Sequence, residues 1–317
     1  VSLPTRRSRV RPPLPAPVKV IKSKLITYIF QKYLNEKDIQ IFKNNFLYYI
    51  IFRIIRNFLS KDIILNIYNF KVSGSIKKNK TSYYLLKKCE FGDFEELNLI
   101  KKISRENNII FLDCGCNYGF YSLFTASLSE KNIVISVEAS RKTYEELKKN
   151  LNLNKLPNIN PINKAISNFD NQSILLNESK NDWESSQTHR NFELLSTSNV
   201  QSIKIDTILK SYFNSNCLTI IKLDIEGNEM KAINGAEKFI QNASPLIIIE
   251  FSKYIFACED NLNYLENFLL NYNYAIYDTN NNKVKLKYIL DKINNLKKGK
   301  KTIGNYYLIK DTSKKFI

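Results

Sequence analysis

The chain has 317 residues, of which 44% are hydrophobic and 25% charged, a balance typical of a globular protein and not of a disordered or fibrous one. Its formal net charge of +18 raises nucleic acid, an anionic membrane or an acidic glycan as partners. Only nine of the 48 basic residues are Arg, the side chain that reads phosphate and guanine best. The charge therefore favours a diffuse Lys excess over a nucleic-acid interface.

The first 18 residues differ in composition from the rest of the chain. Five of the eight Pro and four of the nine Arg lie there, without the apolar core of a signal peptide. We expect residues 1–18 to be a disordered tail or a segment that is not native to the protein.

A helical N-terminal extension is predicted for residues 19–104. The apolar side chains that recur there at the spacing of one helix face are Ile39, Phe42, Phe46 and Ile50. The apolar stretch 46–59 is shorter than the ~20 residues of a spanning helix and contains two Arg, so no transmembrane segment is predicted. Packing on the following domain is the ordinary interpretation, and peripheral membrane contact through residues 20–60 is the alternative.

Residues 105–317 alternate short β-rich runs with helical segments, which predicts an α/β, Rossmann-like domain with helices on both faces of a parallel sheet. The predicted strands are Ile109–Asp113, Ile133–Glu138, Ile159–Ile166, Leu218–Asp224 and Leu246–Phe251, with Tyr274–Asp278 and Asn305–Ile309 as a final pair. Residues 167–217 exceed the length of one crossover, so we expect a β-hairpin or lid inserted there.

The first motif, DCGCNYG at 113–119, lies between a predicted strand and a helix that begins near Phe120. The chain must turn sharply there, and Gly115 and Gly119 allow positive φ angles and leave the backbone bare for a ligand. Asn117 tolerates such angles next best. The turn also directs the N–H groups of the helix start at the ligand, which suits a carboxylate such as that of a bound methionine.

An acidic residue, Glu138, ends the second predicted strand. A carboxylate at that strand tip is placed to accept hydrogen bonds from both hydroxyls of a ribose. A dinucleotide site would need Gly-x-Gly-x-x-Gly, whereas Asn117 and Phe120 stand here at the second and third glycine positions. We therefore predict S-adenosylmethionine, and not NAD, as the cofactor.

A third motif, KLDIEGNE at 222–229, closes a later strand and opens a helix. Asp224 is expected beside Asp113 at the carboxyl edge of the sheet, where ligands bind in open α/β folds. Both carboxylates could face the positive α-amino group and sulfonium of the cofactor. Glu250, at the tip of the next strand, adds a third carboxylate to this edge.

These segments together resemble the FkbM family of class I S-adenosylmethionine-dependent methyltransferases. The matching segments, in family order, are FLDCGCNYG (111–119), VEA (137–139), IDTIL (205–209), IKLDIEGNE (221–229) and IIE (248–250). The resemblance covers about residues 105–280 and implies a seven-stranded, mostly parallel sheet and O-methylation of small molecules or sugars. The cofactor-binding residues that it implies are Asp113, Gly115, Asn117, Gly119 and Glu138, with Ala165 near the adenine.

An alcohol acceptor loses its proton during methyl transfer, and the candidate catalytic base is Asp224 or Glu226, because both lie at the sheet edge. Structural roles for both residues stay open, as does a Mg²⁺ ion held by them with Glu250, although the prediction is that there is no metal site. His189, the only histidine, is expected on an exposed loop, and the alternative is a base delivered by a lid.

Two other functions stay open at this point. The net charge raises methylation of RNA or DNA, but the sequence contains neither an Asn-Pro-Pro-Tyr nor a Pro-Cys motif. A non-catalytic interaction module at a membrane surface is the other alternative, and such a module would not need the cofactor residues. The five cysteines are odd in number and lack CxxC pairs, which predicts reduced thiols in a cytoplasmic protein.

Overall fold

The computed structural model describes residues 19–21, 63–74, 93–179 and 194–311. The predicted tail at 1–18, the predicted helix face at 39–50 and His189 lie outside these residues. None of the helices in the described part is long and apolar enough to cross a membrane.

An eight-stranded mixed sheet forms the centre of the molecule, and the predicted α/β class is confirmed. Its strands are β4 (Ile109–Cys114), β5 (Ile133–Val137), β6 (Ile159–Ile162), β10 (Leu218–Leu223), β11 (Leu246–Ser252), β12 (Tyr274–Tyr277), β13 (Lys283–Val284) and β14 (Thr302–Lys310). Their spatial order is β13-β12-β14-β11-β10-β4-β5-β6. The strands from β11 to β6 are parallel, and the other three pair antiparallel.

The predicted number of seven strands is wrong by one, because β13 was not expected. It pairs with β12 across a turn in which the Asp278 carboxylate accepts hydrogen bonds from the N–H groups of Asn280 and Asn282, both at 2.9 Å. Two residues are too few to show the alternation of apolar and polar side chains that identifies a strand in a sequence.

The central strands are apolar on both faces, as a sheet covered by helices requires. In β4, Ile109 and Phe111 belong to one hydrophobic cluster, whereas Ile110 and Leu112 belong to a second cluster on the opposite face. All four side chains are fully buried. The sheet is therefore the middle layer of three.

Helices form the two outer layers. The helices are α1 (Phe94–Glu106), α2 (Phe120–Leu128), α3 (Arg141–Asn154), α4 (Ile205–Lys210), α5 (Glu229–Asn234), α6 (Glu237–Ala243), α7 (Glu259–Asn271) and α8 (Leu286–Asn294). The first cluster contains side chains of α1 and α2, and the second contains side chains of α4 to α8. The carboxyl ends of β4, β5, β10 and β11 meet at one edge of the sheet, where open α/β sheets bind ligands.

A separate antiparallel sheet consists of β1 (Lys19–Ile21), β2 (Ile63–Ile67) and β3 (Phe70–Gly74). The helix predicted at 63–74 is therefore wrong, and the rest of the predicted extension up to residue 92, apart from residues 19–21, lies outside the described residues. An Ile-rich run fits either structure by its pattern, and tertiary contacts decide between them. The chain reverses at Tyr68, where φ is +50°, and Phe70 packs edge-on against Phe120 with ring centroids 5.2 Å apart.

A third sheet contains, in spatial order, β7 (Ala165–Ile166), β9 (Leu194–Ile203) and β8 (Ser173–Ser179), and β8 pairs antiparallel with β9. The strand predicted at 159–166 is therefore two strands, because β6 stays in the central sheet while β7 leaves it. Asn163 lies at this break, and its side-chain amide donates to the carbonyls of Glu138 and Ala139 at 2.8 and 3.1 Å. These bonds fix the break beside the tip of β5.

Candidate active site

The chain turns sharply between β4 and α2, with φ angles of +78° at Gly115, +52° at Asn117 and +81° at Gly119. Glycine and asparagine are the residues that adopt such angles most readily. The N–H groups of Gly115 and Cys116 both donate to the carbonyl of Val137, at 2.9 and 3.1 Å. The turn is therefore joined to the tip of β5.

The two glycines of the turn also stand where another chain segment comes very close. A Cβ atom at Gly115 would lie 2.0 Å from the carbonyl oxygen of Asp224, and one at Gly119 would lie 2.4 Å from Cδ1 of Leu147. Neither distance is tolerable between real atoms, and the first neighbour is backbone. The turn therefore fits tightly between the end of β10 and helix α3.

Glu138 faces the turn from the tip of β5, as the sequence predicts. Its Oε2 atom accepts a hydrogen bond from the N–H of Asn117 at 3.0 Å, and its Oε1 atom accepts one from the N–H of Ser140 at 2.9 Å. Burial raises the pKa of this carboxyl to about 7, although both N–H groups oppose the rise. The carboxyl therefore titrates near neutral pH.

Ser140 connects Glu138 to two other elements. Its hydroxyl oxygen accepts a hydrogen bond from the N–H of Thr143 and so caps the start of α3. The same hydroxyl donates to Glu178 on β8 at 3.4 Å, and Glu178 also accepts hydrogen bonds from Ser196 and Ser198 on β9 at 3.1 Å. The inserted hairpin is thus bonded to the tip of β5.

Asp113 lies beneath the turn and not on its surface. Its Oδ2 atom accepts a hydrogen bond from the Ser122 hydroxyl at 2.7 Å, and Ser122 accepts one from the Ser136 hydroxyl at the same distance. Burial raises the pKa of Asp113 to about 6, against the opposing charge of Lys222. With 1% of its surface exposed, Asp113 supports the turn from below instead of facing the cleft as expected.

Ala165 is fully buried on β7, where it pairs with Ser202 on β9. Ala139, the residue after Glu138, packs against the small cluster that contains Ala165. The structure thus brings Ala165 to the flank of the β5 tip.

Lys222 is a site residue that the sequence did not single out. Its Nζ atom lies 2.8 Å from Oδ2 of Asp224 and 4.7 Å from the ring centroid of Tyr121, and the side chain is only 4% exposed. Asp113, on the neighbouring strand β4, lies opposite Lys222 in the register of the two strands. Burial alone would lower the pKa of Lys222, but the carboxylates of Asp224 and Asp113 outweigh that effect and raise it. The sequence feature that could have identified Lys222 is its position as a single charged residue inside the apolar run IIKL.

A third carboxylate lies at the hydroxyl end of Tyr121. The Tyr121 hydroxyl donates to Oδ2 of Asp93 at 2.8 Å. Burial raises the pKa of Asp93, while Lys222 acts in the opposite direction. One buried ammonium group is therefore surrounded by the carboxyl groups of Asp93, Asp113 and Asp224.

The loop after β10 has an unusual backbone. Glu226 has a φ of +60° and is followed by Gly227 at +99°. Oε1 of the buried Glu229 accepts hydrogen bonds from the N–H groups of Ile225 and Gly227, both at 3.1 Å. Strain of this kind persists where surrounding bonds fix it, and it is common at functional sites. The Glu229 carboxylate thus holds the loop through two backbone N–H groups.

Glu250 lies beside Asp224, because β10 and β11 pair in parallel with Leu223 opposite Ile249. Burial raises the pKa of Glu250 to about 8, and the charges of Asp224 and Glu226 add to this effect while Lys222 opposes it. Among the described residues, no group of His, Cys, Asp or Glu is arranged to hold a metal ion.

Asp206, in the IDTIL segment, binds the backbone of another helix. The Asp206 carboxylate accepts hydrogen bonds from the N–H groups of Phe239 and Lys238, at 2.8 and 3.3 Å, in the first turn of α6. It therefore caps a helix that is remote in the sequence, on the face of the sheet covered by α4 to α8.

The FkbM methyltransferase domain is the family whose model matches this chain, over residues 113–276. The chain belongs to this family. It is therefore a methyltransferase whose methyl donor is S-adenosylmethionine, as the sequence predicts. The matched residues include the Gly115–Gly119 turn, Glu138 and the carboxylates at the tips of β10 and β11.

Solved methyltransferases show weaker similarity. An FkbM methyltransferase from Methylobacillus flagellatus KT is 19% identical with a TM-score of 0.38, over 63% of this chain and 43% of its own. A putative caffeoyl-CoA O-methyltransferase from Staphylococcus aureus is 14% identical with a TM-score of 0.40, over 75% and 92%. TYW2 from M. jannaschii, solved with AdoMet, is 14% identical with a TM-score of 0.37, over 78% and 83%. No curated protein matches the chain in sequence.

Proposed function

We propose that this FkbM methyltransferase transfers the methyl group to a hydroxyl oxygen of a sugar, a glycan or another small molecule. The observation that supports this is the grouping of Asp224, Glu226 and Glu250 at the carboxyl edge of the sheet, directly beside the turn at Gly115. Transfer to an alcohol needs a proton acceptor at the reacting oxygen, and carboxylates at this edge can supply one.

The residues beside the turn fit S-adenosylmethionine. Glu138 uses one lone pair on each oxygen for a backbone N–H, so further lone pairs are left for the two hydroxyls of a ribose. Gly115, Asn117 and Gly119 present bare or nearly bare backbone to the methionine end, and Ala165 lies on the adenine side. Asp113 holds this arrangement from beneath, through Ser122.

The charges of the site fit the same ligand. Lys222 is one cation among several carboxyl groups. The bound donor supplies an electrophilic methyl carbon on a positively charged sulfur, together with a positive α-amino group. The Asp224 carboxylate favours such positive charge, and a cleft fixed by strand tips orients the acceptor for an in-line displacement.

Two measurements on the full chain test the proposal. Calorimetry with S-adenosylmethionine should give a Kd in roughly the micromolar range typical of enzyme ligands. Donor labelled with ¹³C at the methyl group and incubated with a fractionated cell extract should then give a labelled product that is stable to alkali, because alkyl ethers survive alkali whereas methyl esters release methanol. The methyl resonance of that product should be that of an O-methyl ether, which distinguishes it from N-methyl and C-methyl products that also survive alkali. Binding without any alkali-stable label would contradict transfer to a hydroxyl.

A membrane contact is also part of the proposal, and it rests on the sequence of residues 20–60, outside the described part. The stretch 46–59 combines aromatic and aliphatic side chains with Arg53 and Arg56, as membrane-surface segments do. The full chain should co-sediment with vesicles that contain anionic lipid, and replacing both Arg by Glu should release it. The same double replacement at Lys148 and Lys149, which are exposed on α3, is the control. Equal loss in both variants would count against a specific contact.

A further inference from the structure

The carboxylates at the edge of the sheet differ in their surroundings. Oδ2 of Asp224 lies 2.8 Å from the Lys222 ammonium group, which is 4% exposed and lies against the Tyr121 ring. An ammonium group at this distance stabilises the ionised form of a carboxylate and reduces its tendency to take a proton. The Asp224 carboxylate is therefore engaged in an ion pair with Lys222.

Glu250 has no such partner among the ion pairs formed between described residues. It is partly buried on β11, a strand paired on both sides, so its backbone is held rigidly. Glu226, by contrast, lies in the loop after β10 at a φ of +60°.

The order of the strands places Glu250 away from the donor-binding turn. The sequence β11-β10-β4-β5 puts Glu250 at one end and Glu138 at the other, with Asp224 and the turn between them. Neighbouring strands are ~4.8 Å apart, so an acceptor above β10 and β11 can contact Glu250 while the ribose site at β5 is filled.

The charges around Glu250 suit proton transfer near neutral pH. Burial raises its pKa to about 8, Asp224 and Glu226 raise it further, and Lys222 lowers it. Thr302, on the neighbouring strand β14, also lowers it. A catalytic base is most effective when its pKa is close to the pH of the reaction.

We propose that Glu250 is the catalytic base of the methyl transfer, and that the ion pair of Lys222 with Asp224 lies beside it and leaves Glu250 to face the acceptor. This inference rests on the proposed hydroxyl methylation. As the acceptor oxygen bonds to the methyl carbon, the Glu250 carboxylate takes the hydroxyl proton. The carbon–sulfur bond breaks with its electron pair left on sulfur, which becomes a neutral thioether, and Glu250 afterwards gives the proton to water.

The test compares the wild type with Glu250→Gln, Glu250→Asp and Glu226→Gln, using the alkali-stable label from the extract fraction as the readout. Glu250→Gln should lower kcat by about 100-fold or more while the Kd for S-adenosylmethionine stays unchanged. The wild-type kcat should rise with pH to a midpoint near that of the Glu250 carboxyl, and this rise should be absent in Glu250→Gln. Glu250→Asp should keep the rise at a lower rate. Glu226→Gln should also keep a pH-dependent rise, with its midpoint at a lower pH, because the Glu226 charge raises the pKa of Glu250.

Three results would overturn the inference in an enzyme that binds donor and methylates: a Glu250→Gln variant with wild-type kcat and pH profile, a Glu250→Gln variant that no longer binds donor, or a Glu226→Gln variant that alone loses the pH-dependent rise. A wild type that gives no alkali-stable label would instead refute the proposed function.

A measurement on the protein alone covers the case in which Glu250→Gln does not fold. In protein labelled with ¹³C at the Glu side-chain carboxyl, one resonance should titrate near the pKa of about 8 given for Glu250. That resonance should be missing from folded Glu250→Asp, in which the labelled residue is absent. If every such titrating resonance remains, the assignment is wrong.

Discussion

Gly115 and Gly299 have similar left-handed backbones, with φ angles of +78° and +89°, but their surroundings differ. A Cβ at Gly115 would lie 2.0 Å from the Asp224 carbonyl oxygen, whereas nothing in the described part of the chain lies within 4 Å of one at Gly299. Comparing alanine substitutions at these two positions therefore distinguishes the effect of backbone strain from that of a steric clash.

Gly115→Ala should lower donor affinity at least tenfold and lower the melting temperature clearly. Gly299→Ala should cost only the strain of a left-handed alanine, roughly 1–2 kcal/mol, and leave affinity intact. Calorimetry and thermal unfolding measure both quantities. Equal losses of affinity in the two variants would show that the close approach to Asp224 does not matter for binding.

The pKa of about 7 at Glu138 predicts a pH-dependent affinity. Ribose hydroxyls donate to a carboxylate more strongly than to a neutral acid, so donor affinity should rise as the pH increases through about 7, by at most about tenfold per pH unit. In Glu138→Gln the rise at this pH should disappear, while any step due to Glu250 near its pKa of about 8 should remain. Calorimetric titrations over this pH range measure the donor affinity. A wild-type affinity that falls as the pH rises would contradict the assignment of Glu138 to the ribose.

At the level of elements, Asp206 joins α4 to the start of α6 through two N–H groups at 2.8 and 3.3 Å. Asp206→Ala should lower the free energy of unfolding by about 1–2 kcal/mol, the usual effect of losing a helix cap, without changing donor affinity. Urea unfolding measures the loss. Asp260→Ala, in the exposed first turn of α7, is the matched control and should cost only a few tenths of a kcal/mol. A loss of affinity in Asp206→Ala would place the IDTIL segment in the site.

The sequence predicted those elements whose patterns are imposed by burial on two faces. The runs at β4, β5, β10 and β11 are mostly apolar because helices cover both sides, and a Gly turn or an acidic residue marks where each ends. The β2–β3 hairpin was missed because its pairing depends on contacts with α2 and α3. The Asn150 and Asn154 side-chain oxygens of α3 accept hydrogen bonds from the N–H groups of Ser73 and Lys71, and the Asn154 amide donates to the Lys71 carbonyl.

The site was predicted in the same uneven way. The positions of Glu138 at a strand tip and of Gly115 and Gly119 in a turn could be predicted, because they follow from the local chain, and so could the position of Glu250 at the sheet edge. The contacts of Lys222 and Glu250 depend on neighbours in adjacent strands, and register between distant strands cannot be read from one strand alone.

For the whole molecule, several buried carboxyls have raised pKa values: about 6 for Asp113, about 7 for Glu138 and Glu229, and about 8 for Glu250, with burial as the largest cause in each. The unfolded chain releases these protons near pH 4. The folded protein therefore binds more protons between about pH 5 and pH 8, and its free energy of unfolding should fall as the pH rises through this range.

The expected decrease is on the order of a few kcal/mol, since a pKa difference of one corresponds to about 1.4 kcal/mol. Lys222 does not change this direction, because its raised pKa keeps its contribution until the pH exceeds the ordinary Lys value of about 10. Urea unfolding at about pH 5.5 and pH 8 should be compared in moderate salt, which screens the repulsion expected from a net charge of +18. A stability that rises with pH would mean that these carboxyls are better solvated than the structure indicates.

One serine hydroxyl lies where three parts of the molecule meet. Ser140 begins α3, bonds to Glu178 of the inserted hairpin, and follows Glu138 so closely that its own N–H binds that carboxylate. A displacement of the hairpin would therefore affect both the first turn of α3 and the Glu138 carboxyl at the tip of β5. Ser140 thus links the position of the inserted hairpin to the start of α3 and to the Glu138 carboxyl.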